Sequence, residues 1–370
     1  MMNEIFNGFA SDNNATVHPR IMQALADANH GHCLSYGDDS FTEEALSLFK
    51  QLFGQDSEAF FVFNGTGANV LALQALTQPY HAIICADTAH ICVDECGAPA
   101  RSLIANPTKD GKLTIAHIEP HLHVLGVEHH SQPHAVSISQ STEMGTVYTV
   151  DEIREIAAVC HRHGLFLHVD GARIANAAVS LNVSLQEMIV KTGVDILSFG
   201  GTKNGMMFGE AVVILNPALA QTFKYIRKQG TQLASKMRFI AAQFIALLTD
   251  NLWLQNAQNA NRMAQLLSHN AREMGITVTQ PTQANSVFAV LPAEAIKKLQ
   301  QESFFYMWNV ANNEVRWVCS WDTTEEDVKQ FTASLKFKVS GLKFEVSGLK
   351  FKVSSSKPET RNPKLETRNS

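Results

Sequence analysis

The sequence predicts an α/β protein with a mainly parallel seven-stranded sheet, followed by a small C-terminal α+β unit. Three observations carry this expectation. Short apolar strands alternate with helical patterns as far as Leu215. From about Leu219 the pattern changes to a long helical stretch ending at Gly275. Beyond it stand the strand-like "SVFAVLP" and "EVRWVCS" and a short helix opened by "TTEEDV".

In chain order the strands are expected at Ala59–Phe63, Ala82–Ala86, Ser102–Ala105, Ala135–Ser139, Phe166–Val169, Asp195–Phe199 and Ala211–Leu215. The clearest intervening helix is Val150–His163. Asp151, Glu152 and Glu155 load its first turns and Gly164 ends it, as the helix dipole and a glycine C-cap favour. The stretch from Gln232 to Gly275 is read as a connector. The expected boundaries are a large domain over 1–250, whose first 20 residues contribute to the site, and a small domain over 251–334. The tail 335–370 differs in kind. "LKFKVSG", "LKFEVSG" and "LKFKVSS" repeat every seven residues and permit short strands, and "ETRN" then occurs twice. Residues 355–370 can bury almost nothing and are expected to be disordered.

Composition narrows the function. With 370 residues, 45% of them apolar, and a net charge of −5, the chain can bury a full core. It carries no basic stripe suited to nucleic acid. No signal-like or membrane-spanning apolar run occurs, so the cytoplasm is the expected compartment. Six cysteines without C-x-x-C spacing argue against disulfides and structural zinc, and no metal is expected. Cys92 and Cys96 are four apart in an expected helix. A small-molecule substrate fits this profile best.

Three features carry chemistry. In "FFVFNGTGAN" an apolar strand runs into the Asn64–Gly65–Thr66–Gly67 turn and a helix, so free backbone N–H groups and the Thr66 hydroxyl converge as a phosphate cradle. In "FLHVDGAR" Asp170 ends a strand at the carboxyl edge of the sheet, where open α/β folds bind ligands. It faces either Arg173, as a structural pair, or a protonated cofactor nitrogen. In "DILSFGGTKNG" Lys203 stands at a neighbouring strand end with no carboxylate neighbour, and Gly200 and Gly201 read as room for a cofactor. A group with a phosphate, a pyridinium nitrogen and an aldehyde needs one partner of each kind, and pyridoxal 5′-phosphate (PLP) is that group.

The chain resembles the low-specificity L-threonine aldolases, fold type I PLP enzymes of the aromatic amino acid beta-eliminating lyase group. The resemblance spans residues 5–334 and rests on "SDNNATVHPRIMQAL", "YGDDSFTEEALSLF", "FVFNGTGAN", "CADTAHICVDECGA", "HVDGARIANA", "FGGTKNG", "SKMRFIAAQFIAL" and "NEVRWVCSWDTTEEDV". It implies that Lys203 bonds the PLP aldehyde, Asp170 pairs with the ring nitrogen and His90 stacks on the ring. It further implies that Gly65 and Thr66 hold the phosphate and that Arg238 reaches the phosphate of a neighbouring subunit. Ser11, Arg173 and Arg316 would bind the substrate carboxylate, with Arg173 also beside the cofactor. The implied assembly is a homodimer or homotetramer with shared sites. The implied reaction cleaves L-threonine or L-allo-threonine to glycine and acetaldehyde. A different PLP lyase or transaminase reaction, or a non-catalytic module, are the rival readings. One departure stands out: where the family carries a histidine, "ISQSTEMGT" places Thr142, followed by Glu143. The group taking the β-hydroxyl proton is therefore open among His90, a water held by Glu143, and His129, His130 or His134 of "EHHSQPH".

Overall fold

The computed structural model describes residues 8–340, with side chains through Lys336. Seven strands form the first sheet: β1 (Glu58–Val62), β2 (His81–Ala86), β3 (Ser102–Asn106), β4 (Gln132–Ser139), β5 (Phe166–Gly171), β6 (Ile196–Gly200) and β7 (Glu210–Ile214). Their spatial order is β1-β7-β6-β5-β4-β2-β3, and only β7 runs against its neighbours. Every residue of β2, β6 and β7 is buried, as expected where helices cover both faces of a parallel sheet. Because the other six strands share one direction, the turns after β1, β2, β4, β5 and β6 all open on the same edge.

The helix Val150–Arg162 begins with a capping box, in which Thr149 and Glu152 satisfy each other's backbone N–H groups. The expected long helical stretch is instead three helices, Pro217–Gln229, Arg238–Leu248 and Leu252–Glu273. The break before the last falls at Asp250 and Asn251, both at φ 54. Asp and Asn tolerate this left-handed conformation better than other residues with a side chain. The helix expected around Cys92 and Cys96 is only His90–Val93, and Cys96 lies outside it at φ 51. All six cysteines are free, and no cluster of three or more metal-ligating side chains occurs among the described residues.

The second sheet is antiparallel: β8 (Thr277–Val278), β9 (Ser286–Val290), β10 (Tyr306–Asn309) and β11 (Glu314–Val318), in the order β10-β11-β9-β8. Its core joins Trp317, Val287 and Phe305 to Phe9 of the N-terminal segment, whose carbonyl accepts from the Val318 N–H at 2.9 Å. The helix Leu252–Glu273 contributes Trp253 and Ala257 to the large core and Met263, Ala264 and Leu267 to the small one. No helix among the described residues is long and apolar enough to cross a membrane.

The repeat tail begins as helix. Glu325–Ser340 is a single helix, so the first copy of the repeat continues it rather than forming a strand. The reason is register: Val328, Phe331 and Leu335 fall at i, i+3 and i+7, and all three are buried in the small core. Disorder over 355–370 concerns residues outside those described. Leu335→Ala is expected to destabilise the protein by about 2–5 kcal/mol, the usual cost of a large-to-small core change. A lower urea midpoint at unchanged slope would show this.

Candidate active site

The turns that follow β1, β2, β4, β5 and β6 bring Gly65, Asn69, His90, Ser139, Ser141, Glu143, Asp170, Ala172, Arg173 and Lys203 around one cavity. This is the carboxyl edge at which open α/β sheets bind ligands. Each side chain reaches it because its strand stops there.

Lys203 sits in the short turn after β6. Gly200 and Gly201 do create room, but protein fills it. A Cβ on Gly200 would collide with the Ala172 carbonyl, and one on Gly201 would come within 2.6 Å of the Gly209 carbonyl. The glycines therefore let three backbone segments approach closely, which corrects the expectation that they make space for a cofactor. Among the described residues no hydrogen bond or ion pair reaches the Lys203 amine. Burial and the nearby Arg173 lower its proton affinity, and Asp12, Asp170 and Glu143 offset this in part. An amine so placed is more readily neutral, the state in which it attacks a carbonyl.

Glu210, the first residue of β7, holds the turn from beneath. Its carboxylate accepts from the Gly201 N–H at 2.5 Å and from Thr202. Burial pushes its pKa up to about 7 from an ordinary 4.5, despite those hydrogen bonds and Lys203. The folded protein thus holds this proton more tightly than the unfolded chain. The associated stability is present below about 4.5 and is lost as pH rises through about 7. Glu210→Gln keeps an acceptor for Gly201 and removes the titration. The urea midpoint of that variant should fall less than that of the unmodified protein across this interval.

Asp170 is the next-to-last residue of β5, and its carboxylate is partly engaged: Asn69 Nδ2 donates at 2.8 Å and the Ala172 N–H at 3.0 Å. The structural pair with Arg173 does not form. Arg173 grips Asp12 instead, Nε to Oδ2 at 2.7 Å and Nη2 to Oδ1 at 2.9 Å. Burial alone would raise the Asp12 carboxyl, but Arg173, Lys203 and the hydrogen bonds from Arg173 and Asn285 hold it at about 2. Asp12 escaped the sequence reading because its partner lies 161 residues away.

His90 opens the short helix after β2. Its Nδ1 lies 2.9 Å from Glu95 Oε1, and this hydrogen bond outweighs burial to raise the affinity of the ring for its proton. Thr142 does not face the cavity. Its hydroxyl pairs with Thr146 Oγ1 at 2.7 Å, and the adjacent Glu143 takes the wall position. His129 is exposed in a loop, and His134 stacks on His81 at 3.9 Å, with both rings on the sheet at the end opposite the cavity.

The remaining predicted residues are placed variously. Gly65 begins the helix Gly65–Leu76, and nothing lies within 4 Å of where its Cβ would be. The first amides of that helix, including those of Gly65 and Thr66, have no intrahelical acceptor, while Asn64 caps Gly67 at 2.7 Å. Arg316 on β11 lies 5.1 Å from the Trp308 ring centre, its Nε buried without a hydrogen bond. Ser11 accepts from the Asn13 N–H at 3.1 Å and is not part of the cavity wall. Arg238 lies away from the cavity, donating to the carbonyls of His30 and Gly31 at 3.3 Å each.

Sheet order and the edge that holds the cavity are those of the fold type I PLP enzymes. The same fold recurs in a Sphingomonas wittichii serine palmitoyltransferase at a TM-score of 0.69, with 16% identity over 90% of this chain and 87% of that one. Residues 8–294 match the model of the beta-eliminating lyases. The chain is 45% identical to the low-specificity L-threonine aldolase of Pseudomonas aeruginosa, over 89% of this chain and 96% of that protein. It is 43% identical to the enzyme of the same name from another Pseudomonas, over 90% and 98%. The Leishmania major threonine aldolase superposes at a TM-score of 0.85, with 33% identity over 90% of this chain and 99% of that one. The chain belongs to the beta-eliminating lyase family, among its low-specificity L-threonine aldolases. The family is PLP-dependent.

Proposed function

We propose that this protein cleaves L-threonine, L-allo-threonine and related β-hydroxy amino acids to glycine and an aldehyde, with PLP as its cofactor. The observation that carries the reading is the amine of half-buried Lys203: lowered in proton affinity and free of hydrogen bonds among the described residues, on the same cavity wall as Asp170. The cavity suits the cofactor. Asn69 Oδ1 and Ser141 Oγ are buried there without hydrogen-bond partners, and the space above Gly65 is open. Such orphaned groups are costly unless something polar meets them.

Bound PLP supplies an electron sink for the pair released when a bond to Cα breaks. Lys203 is the amine that holds its aldehyde carbon, and Asp170 keeps the ring nitrogen protonated. Gly65 and Thr66 offer amides to the phosphate, and His90 covers the ring. Arg316, whose guanidinium has no carboxylate partner among the described residues, binds the substrate carboxylate and orients Cα–Cβ for cleavage. Ser11 and Arg173 support the same carboxylate, Arg173 from its anchorage on Asp12. Arg238 serves the phosphate of a neighbouring subunit in a homodimer or homotetramer.

The test is to incubate the PLP-loaded protein with L-threonine and measure acetaldehyde and glycine. Equimolar release supports the reading. Release of ammonia or a keto acid instead assigns the same site to elimination or transamination.

A further inference from the structure

Retro-aldol cleavage needs an acceptor for the β-hydroxyl proton, and the sequence leaves several candidates. Geometry removes most of them. Thr142 is committed to Thr146 and the Asp110 carbonyl, outside the cavity. His134 lies at the far end of β4, and the His129 side chain is 84% exposed in its loop. His90 lines the cavity, but its bond to Glu95 favours the protonated ring, which is a poor acceptor.

Glu143 is differently placed. It follows β4 and lines the cavity beside Lys203, Asp170 and His90. Oε1 accepts from the His90 N–H at 3.1 Å and lies 3.5 Å from Ser139 Oγ, so the carboxylate is fixed from the short helix after β2 and from the end of β4. Among the described residues Oε2 has no hydrogen-bond partner. Resting on the aldolase reading above, we infer that Glu143 itself, through Oε2, takes the proton of the substrate β-hydroxyl. As the O–H bond breaks, its electron pair becomes the second carbon–oxygen bond of the aldehyde. The Cα–Cβ pair stays with Cα, which later takes one proton to give glycine, so no oxidant or reductant is required.

The charges around Glu143 suit the role. Burial raises its pKa to about 7, Asp170 adds to this, and Arg173, Lys203 and His90 oppose it. Arg316 on β11 and Tyr148 in the loop after β4 interact with the same carboxylate through space. A carboxyl titrating near neutrality can accept a proton and return it, which is the condition for efficient general base catalysis.

Two reactions of the PLP-loaded protein separate this role from others. Cleavage of L-threonine uses the β-hydroxyl, whereas exchange of the glycine Cα proton in D2O, followed by NMR, does not. Glu143→Gln is expected to slow cleavage by about 10²–10⁴-fold, to flatten the acid limb of its pH profile and to slow glycine exchange by less than about tenfold. Equal losses in both reactions, or unchanged cleavage, would overturn the inference. Should Glu143→Gln not fold, Glu143→Asp withdraws the carboxylate by one methylene and must likewise slow cleavage far more than exchange. If the unmodified protein exchanges glycine yet releases no acetaldehyde, the aldolase reading fails instead.

Discussion

Lys203→Ala is expected to lose acetaldehyde release from L-threonine by on the order of 10⁴-fold or more, the scale on which removal of a covalent nucleophile acts. The same variant should lose the visible absorption change that accompanies PLP binding. Folding should survive. The amine has no hydrogen bond among the described residues, and desolvation and proximity to Arg173 already disfavour its charge, so alanine deprives no neighbour of a hydrogen bond. Lys203→Arg sharpens the test, because arginine keeps a positive charge at the turn and has no nucleophilic amine. Should both variants retain activity and absorption, the cavity would not be the active site. Unfolding midpoints measured alongside would establish that the loss is chemical.

The seven strands of the large sheet were legible because each is a short buried apolar run, and the observed ends differ from the expected ones by at most three residues. β4 shows the largest difference, since its first residues, Gln132–Pro133–His134, are not what an apolar run leads one to expect. The break at Asp250–Asn251 was hidden because neither glycine nor proline marks it. The tail misled for a complementary reason. Its alternating apolar and charged residues fit a strand by period, yet Leu335 also completes the helical stripe of Val328 and Phe331, and the small core selects the helix.

At the site, Lys203, Asp170 and Gly65 were legible from their strand ends, because a parallel sheet brings those ends to one edge. His90 came from the family resemblance. What could not be read was pairing across the chain. Arg173 has Asp170 as its sequence neighbour, but only the fold brings it Asp12. Likewise, which of Thr142 and Glu143 faces the cavity depends on the course of the loop after β4. Residue identity alone does not determine it.

Asp12→Asn is expected to destabilise the protein by about 3–5 kcal/mol, because it leaves the buried Arg173 guanidinium without its compensating charge. Asp12 is the point at which three parts of the molecule meet. It belongs to the N-terminal segment, its carboxylate binds Arg173 beyond β5, and Asn285 Nδ2, just before β9, donates to it at 3.0 Å. Its carboxyl is held at about 2 against an ordinary 3.8. The stabilisation it contributes is therefore present above about 4 and lost as pH falls through about 2, and the difference between the two proteins should narrow in that interval. Urea unfolding at neutral and acid pH measures both effects. A second substitution separates charge from packing: Asp12→Asn combined with Arg173→Met removes the stranded cation and should recover much of the loss, since a buried ion pair can often be replaced by apolar groups at little cost. If the double variant is instead no more stable than Asp12→Asn alone, the ion pair is not what ties the N-terminal segment to the sheet edge. The hydrogen bond from Asn285 and that from the His18 N–H to the Gly205 carbonyl at 2.9 Å would then carry that tie.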